Sequence, residues 1–294
     1  MLPQEFLRQI RRLHLRARRA VEDLLGGEYH SIFKGNGIAF EEVRAYQPGD
    51  DVRAIDWNVT ARMGQPFIKR FVEDRELTVL LLFDCSGSQD FGTTFQKKRD
   101  IAGELAAILA FTAVSNNDRV GLIHFSDRKE LYIPPRKGTR HILRLIREVL
   151  FFRPKHTGTD LQAGLDYANK ILNRRAVIFL FSDFLDDGYQ AAFKRTAKRH
   201  DLIAVRLADR TETSLPVHCR MRIEDTESGQ QVLISANSTR KKAQYESEAQ
   251  TRLESLRKLA RSCKVDLVET DTRGNHLEAL VDFFKLRDRR LKHR

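Results

Sequence analysis

The stretch "LTVLLLFDCSGSQD" (77–90) runs through seven mainly apolar residues, stops at an aspartate, and then places hydroxyl side chains at alternate positions. The run does not alternate polar with apolar, so both of its faces must be covered, as in a parallel sheet flanked by helices. A second stretch, "AVIFLFSD" (176–183), has the same form and also ends on an aspartate. Helical patterns at 95–115, 139–152, 160–172 and near 188–199 separate these runs from strand patterns at 119–126 and 201–207, with a short extended piece at 129–134. A hairpin pattern (220–235), a long polar helix (238–262), a strand (264–270) and a last helix (275 to about 286) follow. Strands and helices in alternation predict an α/β fold, a doubly wound, mostly parallel sheet with helices on both faces.

In such sheets ligands sit beyond the carboxyl ends of the strands, near the point where strand order reverses. Asp84 closes the first buried strand, and Ser86 and Ser88 lie on the loop after it. Asp183 closes the second. Between them "HTGTD" (156–160) opens a helix, with Thr159 near its start. Five hard oxygen donors, Asp84, Ser86, Ser88, Thr159 and Asp183, are thus expected at one sheet edge. Carboxylates and hydroxyls suit Mg²⁺ or Mn²⁺ rather than zinc or copper. With two carboxylates and three neutral hydroxyls the ion keeps positive charge, and an Asp or Glu of another protein is the natural group to complete its shell. Each fragment alone has an ordinary reading, a strand-end turn or a helix cap for Thr159. Their order along the chain is what favours a metal site.

Length and composition frame this reading. The 294 residues are 41% hydrophobic and 31% charged, which fits a folded protein. No apolar run approaches the roughly 18 residues of a membrane span, and the N-terminus lacks the apolar core of a signal peptide, so a cytoplasmic location is expected. Cys85, Cys219 and Cys263 show no paired spacing and suggest neither disulfides nor zinc. Four regions are expected: a basic amphipathic helix (1–27), a turn-rich segment (28–76) docked on the main domain, the sheet domain (77–286), and a basic tail (287–294). The net charge of +12 gathers at the ends, at Arg8, Arg11, Arg12, Arg16, Arg18 and Arg19 and again from Lys285 to Arg294. A solvated face explains such ends, and contact with anionic lipid or an acidic partner is the alternative. No aromatic residues alternate with these charges, so nucleic acid is not expected.

"DCSGS", "TGTD" and "FLFSD" resemble the three segments of the metal-ion-dependent adhesion site of von Willebrand factor type A domains, with matches at Asp84, Ser86, Ser88, Thr159 and Asp183. The resemblance implies a sheet with one short antiparallel edge strand, a Mg²⁺ at its top, and protein binding. "KGNGIAFEEVRAYQPGDDVRAIDWNVTAR" (34–62), set just before such a domain, is similar to the signature of bacterial domain-of-unknown-function family 58. Members of that family typically accompany MoxR-type AAA+ ATPases, which implies a part in assembling or maturing a client protein.

The expected function is therefore a non-enzymatic, metal-dependent interaction adaptor with no catalytic residue. Two rivals stand beside it. A strand-end Asp84 would suit a phosphotransferase of the haloacid-dehalogenase type, but Ser86 occupies the place of the second carboxylate that acts as acid and base there. The basic ends would suit nucleic-acid or membrane-surface binding, which salt weakens steeply. Asp50, Asp51 and Asp56 form another carboxylate cluster. Arg44, Arg53 and Arg62 are interleaved with them, so a charge-paired structural loop is expected rather than a second metal site. Tyr46 and Trp57 are expected to pack this segment onto the sheet domain rather than to bind a ligand.

Overall fold

The computed structural model describes residues 39–72, 76–90, 92, 96–214, 220–224, 231–235, 239–274 and 276–292. The helix expected over 1–27 and Cys219 lie outside the described residues. The chain divides into two units, 33–77 and the remainder.

The larger unit is built on six strands in the order β10-β7-β6-β3-β4-β5. They are β3 (Thr78–Asp84), β4 (Arg119–Phe125), β5 (Lys129–Arg136), β6 (Val177–Ser182), β7 (Asp201–Ala208) and β10 (Asp266–Asp271). All neighbours are parallel except β4 and β5, which run antiparallel. The three central strands follow from composition. Every residue of β6 and all but the first residue of β3 and β4 are buried, which only a sheet covered on both faces permits.

Two helical layers provide that cover. Leu80 and Leu82 of β3, Ile123 and Phe125 of β4 and Ile178 and Leu180 of β6 pack under α4 (Leu161–Ile171), α5 (Gln190–Arg199) and α7 (Thr239–Cys263). The alternate residues of the strands face α2 (Lys98–Ser115), α3 (Thr139–Phe151) and α8 (His276–Lys292), with Phe179 against Phe283 edge-on at 6.5 Å. Gly164 marks how closely α4 approaches the sheet, since a Cβ there would meet the buried Phe125 ring at 2.7 Å. A separate hairpin pairs β8 (Arg220–Glu224) with β9 (Gln231–Ser235). A four-residue helix, α6 (Arg210–Thr213), follows β7.

The last helix differs from expectation, running to Lys292 instead of ending near 286. Arg287 pairs with Asp201 and Asp266, and Arg290 bonds Asp266 at 2.6 Å. These basic residues have acidic partners at the feet of β7 and β10, so residues 287–292 belong to the fold rather than to a separate tail. None of the described helices is long and apolar enough to cross a membrane.

In the smaller unit β1 (Ala39–Ala45) pairs antiparallel with β2 (Phe67–Val72), and a 3-10 turn (Val52–Ala54) and α1 (Trp57–Met63) lie between them in sequence. The three aspartates of this unit are structural. Arg44 grips Asp50 bidentately at 2.7 and 2.9 Å. Asp51 caps the 3-10 turn through the Arg53 N–H. Asp56 caps α1 by accepting from the Asn58 and Val59 N–H groups. Trp57 is 67% exposed.

Candidate metal centre

Strand order reverses between β3 and β6. The chain leaves β3 toward β4 and β5, then returns on the other side of β3 to lay down β6, β7 and β10. Asp84 is the last residue of β3, and Asp183 directly follows β6. Parallel register sets Phe83 beside Phe181, so the two strands end together. Their adjoining rims are bonded, with the Ser182 hydroxyl donating to Asp84 Oδ2 at 2.8 Å. Asp84, Ser86 and Asp183 are all buried.

The loop after β3 folds back on the first aspartate. The Ser86 N–H donates to Asp84 Oδ1 at 2.9 Å, and the Ser86 and Ser88 hydroxyl oxygens lie 3.0 Å apart. The loop carrying Thr159 is tied alongside, because the Gly87 N–H donates to the Thr157 carbonyl at 3.0 Å. Thr159 is half-buried there. It does not cap α4. Asp160 does, accepting from the Ala163 N–H at 2.8 Å. After β6 the chain turns sharply. Phe184 has φ 57°, left-handed backbone that a bulky residue seldom adopts. The Leu185 N–H donates to Asp183 Oδ1 at 3.3 Å, and the Phe184 N–H to the Ser182 hydroxyl at 3.0 Å. The turn thus fixes Asp183 from its own backbone.

The electrostatics of the two aspartates differ. No described cation pairs with Asp84. Burial, and then the charge of Asp183, push its carboxyl up to about 7, against the weaker pull of its bonds to Ser86 and Ser182. Asp183 has a partner that sequence reading missed. Lys98 of α2 donates to Asp183 Oδ2 at 2.9 Å and also pairs with Glu212 of α6. Gln89, buried on the short 3-10 turn after Ser86, adds a bond to the same oxygen at 3.4 Å. The cue for Lys98 is in the sequence, where it falls on the same helical stripe as Ile101 and Leu105. Glu212 also leaves a trace. "DRTE" (209–212) has capping-box spacing, and Asp209 and Glu212 do form that box.

Burial, then the neighbouring Asp84 charge, raise the Cys85 thiol far above its ordinary range, and its S–H donates to the Phe125 carbonyl at 3.0 Å. Two small cavities touch the aspartates. One beside Asp84 and His124 and one beside Asp183 and Arg206 measure about 20 Å³ each, room for roughly one water. Among the described residues no three His, Cys, Asp or Glu side chains cluster as a metal cage. A site here would therefore rest on hydroxyl donors as much as on carboxylates. The donor chemistry fits a hard divalent ion on one observation: a buried carboxylate without a counter-cation among the described residues stands against a second carboxylate, among serine hydroxyls.

Fold and site together define an α/β protein with a mostly parallel sheet and an aspartate–hydroxyl cluster at its switch point. The chain belongs to the family described as protein of unknown function DUF58, which it matches over residues 42–255. It is 32% identical over 223 residues to the uncharacterized protein Rv1480 of Mycobacterium tuberculosis, covering 75% of this chain and 70% of that one. It is 30% identical to the uncharacterized protein YeaD of Bacillus subtilis over 107 residues, 36% of this chain and 25% of the relative. Among solved structures it is similar to the conserved hypothetical protein BatB of Bacteroides thetaiotaomicron (TM-score 0.48, 16% identity, 72% of this chain and 99% of that one). A further neighbour is an aerotolerance-related membrane protein of Bacteroides fragilis (TM-score 0.49, 15% identity, 74% and 100%).

Proposed function

We propose that this protein is a non-enzymatic interaction adaptor whose sheet edge is a von Willebrand factor A-like metal-ion-dependent adhesion site. Asp84, Ser86, Ser88, Thr159 and Asp183 would hold a Mg²⁺ or Mn²⁺, and an Asp or Glu of a partner protein would complete its shell. The observation that carries this reading is Asp84, a buried carboxylate beside Asp183 with no described cation of its own. A divalent ion supplies the charge that relieves this repulsion, and the two serine hydroxyls, 3.0 Å apart, are neutral donors beside it. The ion then stays under-neutralised and attracts an external carboxylate.

The phosphotransferase alternative is disfavoured by chemistry, because Ser86 stands where a second carboxylate would act as acid and base. The family resemblance adds a MoxR-type AAA+ ATPase as the expected partner, with a client to be assembled or matured. The test is capture of that ATPase in Mg²⁺ and again in EDTA, with wild type and Asp183→Ala. Capture in Mg²⁺ alone, lost in the variant, supports the adaptor. Capture that ignores both EDTA and the variant overturns it.

A further inference from the structure

Lys98 is fully buried, at 0% exposure, and among the largest such side chains in the protein. Lysine almost never occupies such a position unless paired, and here both partners are carboxylates. Asp183 Oδ2 accepts from its ammonium at 2.9 Å, and Glu212 Oε1 pairs with it as well. Glu212 is itself held. Its Oε2 accepts the Asp209 N–H at 3.1 Å, and Asp209 accepts from the Thr272 hydroxyl at 2.7 Å and from the Thr211 N–H at 3.0 Å. The ammonium is therefore fixed by groups at the ends of β6 and β7, one of them also a candidate metal ligand.

We propose that Lys98 is a built-in counter-cation of this site, which holds Asp183 when no metal is bound and opposes a divalent ion for the same carboxylate. Glu212 is its positioning residue, drawing the ammonium toward β7 and away from full neutralisation of Asp183. The proposal rests on the metal-site reading above and adds residues from outside the five donors. It gives the protein a folded metal-free form, since breaking a buried ion pair is normally costly. It also requires opposite effects at two adjacent positions. Removing Lys98 strengthens metal binding, because a positive charge leaves the site. Neutralising Glu212 weakens it, because the ammonium is then given wholly to Asp183.

The test is a Mn²⁺ titration of the full chain, read by the electron paramagnetic resonance of free Mn²⁺, with melting curves in EDTA and in Mn²⁺. Lys98→Met should bind Mn²⁺ about tenfold or more tighter than wild type, the direction that Coulomb's law demands. It should melt lower in EDTA and gain more than wild type does from Mn²⁺. Glu212→Gln should bind more weakly. If Lys98→Met does not fold, Lys98→Met/Glu212→Gln is compared with Glu212→Gln alone, which isolates the lysine without leaving a buried glutamate unpaired. Tighter binding by the double variant is again expected. Equal or weaker binding on loss of Lys98, with wild type binding normally, overturns the counter-cation and leaves the metal site standing. Mn²⁺ binding by none of the proteins overturns the metal site and the counter-cation with it.

Discussion

Two groups of aspartates in this chain behave in opposite ways. Asp50, Asp51 and Asp56 lie within seven residues, and each is used locally, by Arg44, by a 3-10 turn or by the start of α1. The Arg44 guanidinium, then the Gln47 N–H, hold the Asp50 carboxyl below its ordinary value. Asp84 and Asp183 lie 99 positions apart, and the sheet brings them together. There they are buried, and Asp84 is raised instead of lowered. Proximity in sequence built a loop, whereas proximity through topology built a site. The surrounding units differ in the same sense. The sheet unit buries whole strands, while the smaller unit exposes Val52, Trp57 and Met63 and buries Ile68.

The sharpest way to break this comparison is to remove one aspartate from each cluster and titrate with Mn²⁺. Asp84→Asn should lose more than roughly a hundredfold in affinity, since groups that merely support a ligand already account for about 10–100-fold. Asp56→Ala should leave Mn²⁺ affinity unchanged. Equal losses in both variants would place the metal elsewhere.

A smaller effect should appear with pH. The Asp84 carboxyl moves from the ordinary 3.8 to about 7 in the folded protein. Between roughly pH 4 and 7 the folded chain therefore keeps a proton that the unfolded chain has released, and the contribution of Asp84 to stability falls as pH rises through that window. His124, stacked on Phe152, acts the other way. Burial, then Arg99, lower it to about 3 from 6.5, so its contribution is lost as pH falls from about 6.5 toward 3. Comparing wild type with Asp84→Asn in EDTA cancels the histidine. The melting advantage of the variant should grow from pH 5 to 7 and then level off. Mn²⁺ affinity of wild type should rise up to about tenfold per pH unit below 7 and flatten above it. A pH-independent difference between the two proteins would show that Asp84 ionises normally.

How much of this could be read from sequence follows from the same contrast. Buried strands announce themselves as apolar runs, so the aspartates at their ends could be located and their meeting argued from the switch-point rule. The five donors come from that logic and from the family resemblance. Lys98 and Glu212 were not found, for different reasons. A lysine on an apolar helical stripe looks like an ordinary basic residue beside Lys97 and Arg99 until the carboxylate above it is known. Glu212 sits on a helix of only four residues, too short for periodicity to register. The end of α8 was misplaced because its arginines look like a solvated tail, and the acids that fix them, Asp201 and Asp266, belong to other elements of the sheet unit.

The smallest effect expected concerns stability in the smaller unit and tests whether its aspartates are only structural. Asp56 accepts two N–H bonds, from Asn58 at 3.0 Å and Val59 at 3.3 Å, at the start of a seven-residue helix. Replacing such a cap by alanine costs about 1 kcal/mol. Asp56→Ser keeps an acceptor at that position and should recover most of the loss, whereas a metal ligand would not be rescued by a hydroxyl in the same way. The Arg44–Asp50 pair is more open to solvent, and exposed pairs contribute little and are screened by salt. Arg44→Ala should therefore shift the melting temperature less than Asp56→Ala, with the shift shrinking further as salt is raised. The measurement is a set of melting curves at low and high salt, with and without Mn²⁺. If either loop variant removed the Mn²⁺-induced stabilisation, the loop aspartates would take part in the metal site, and the division between local loop and assembled site would fall.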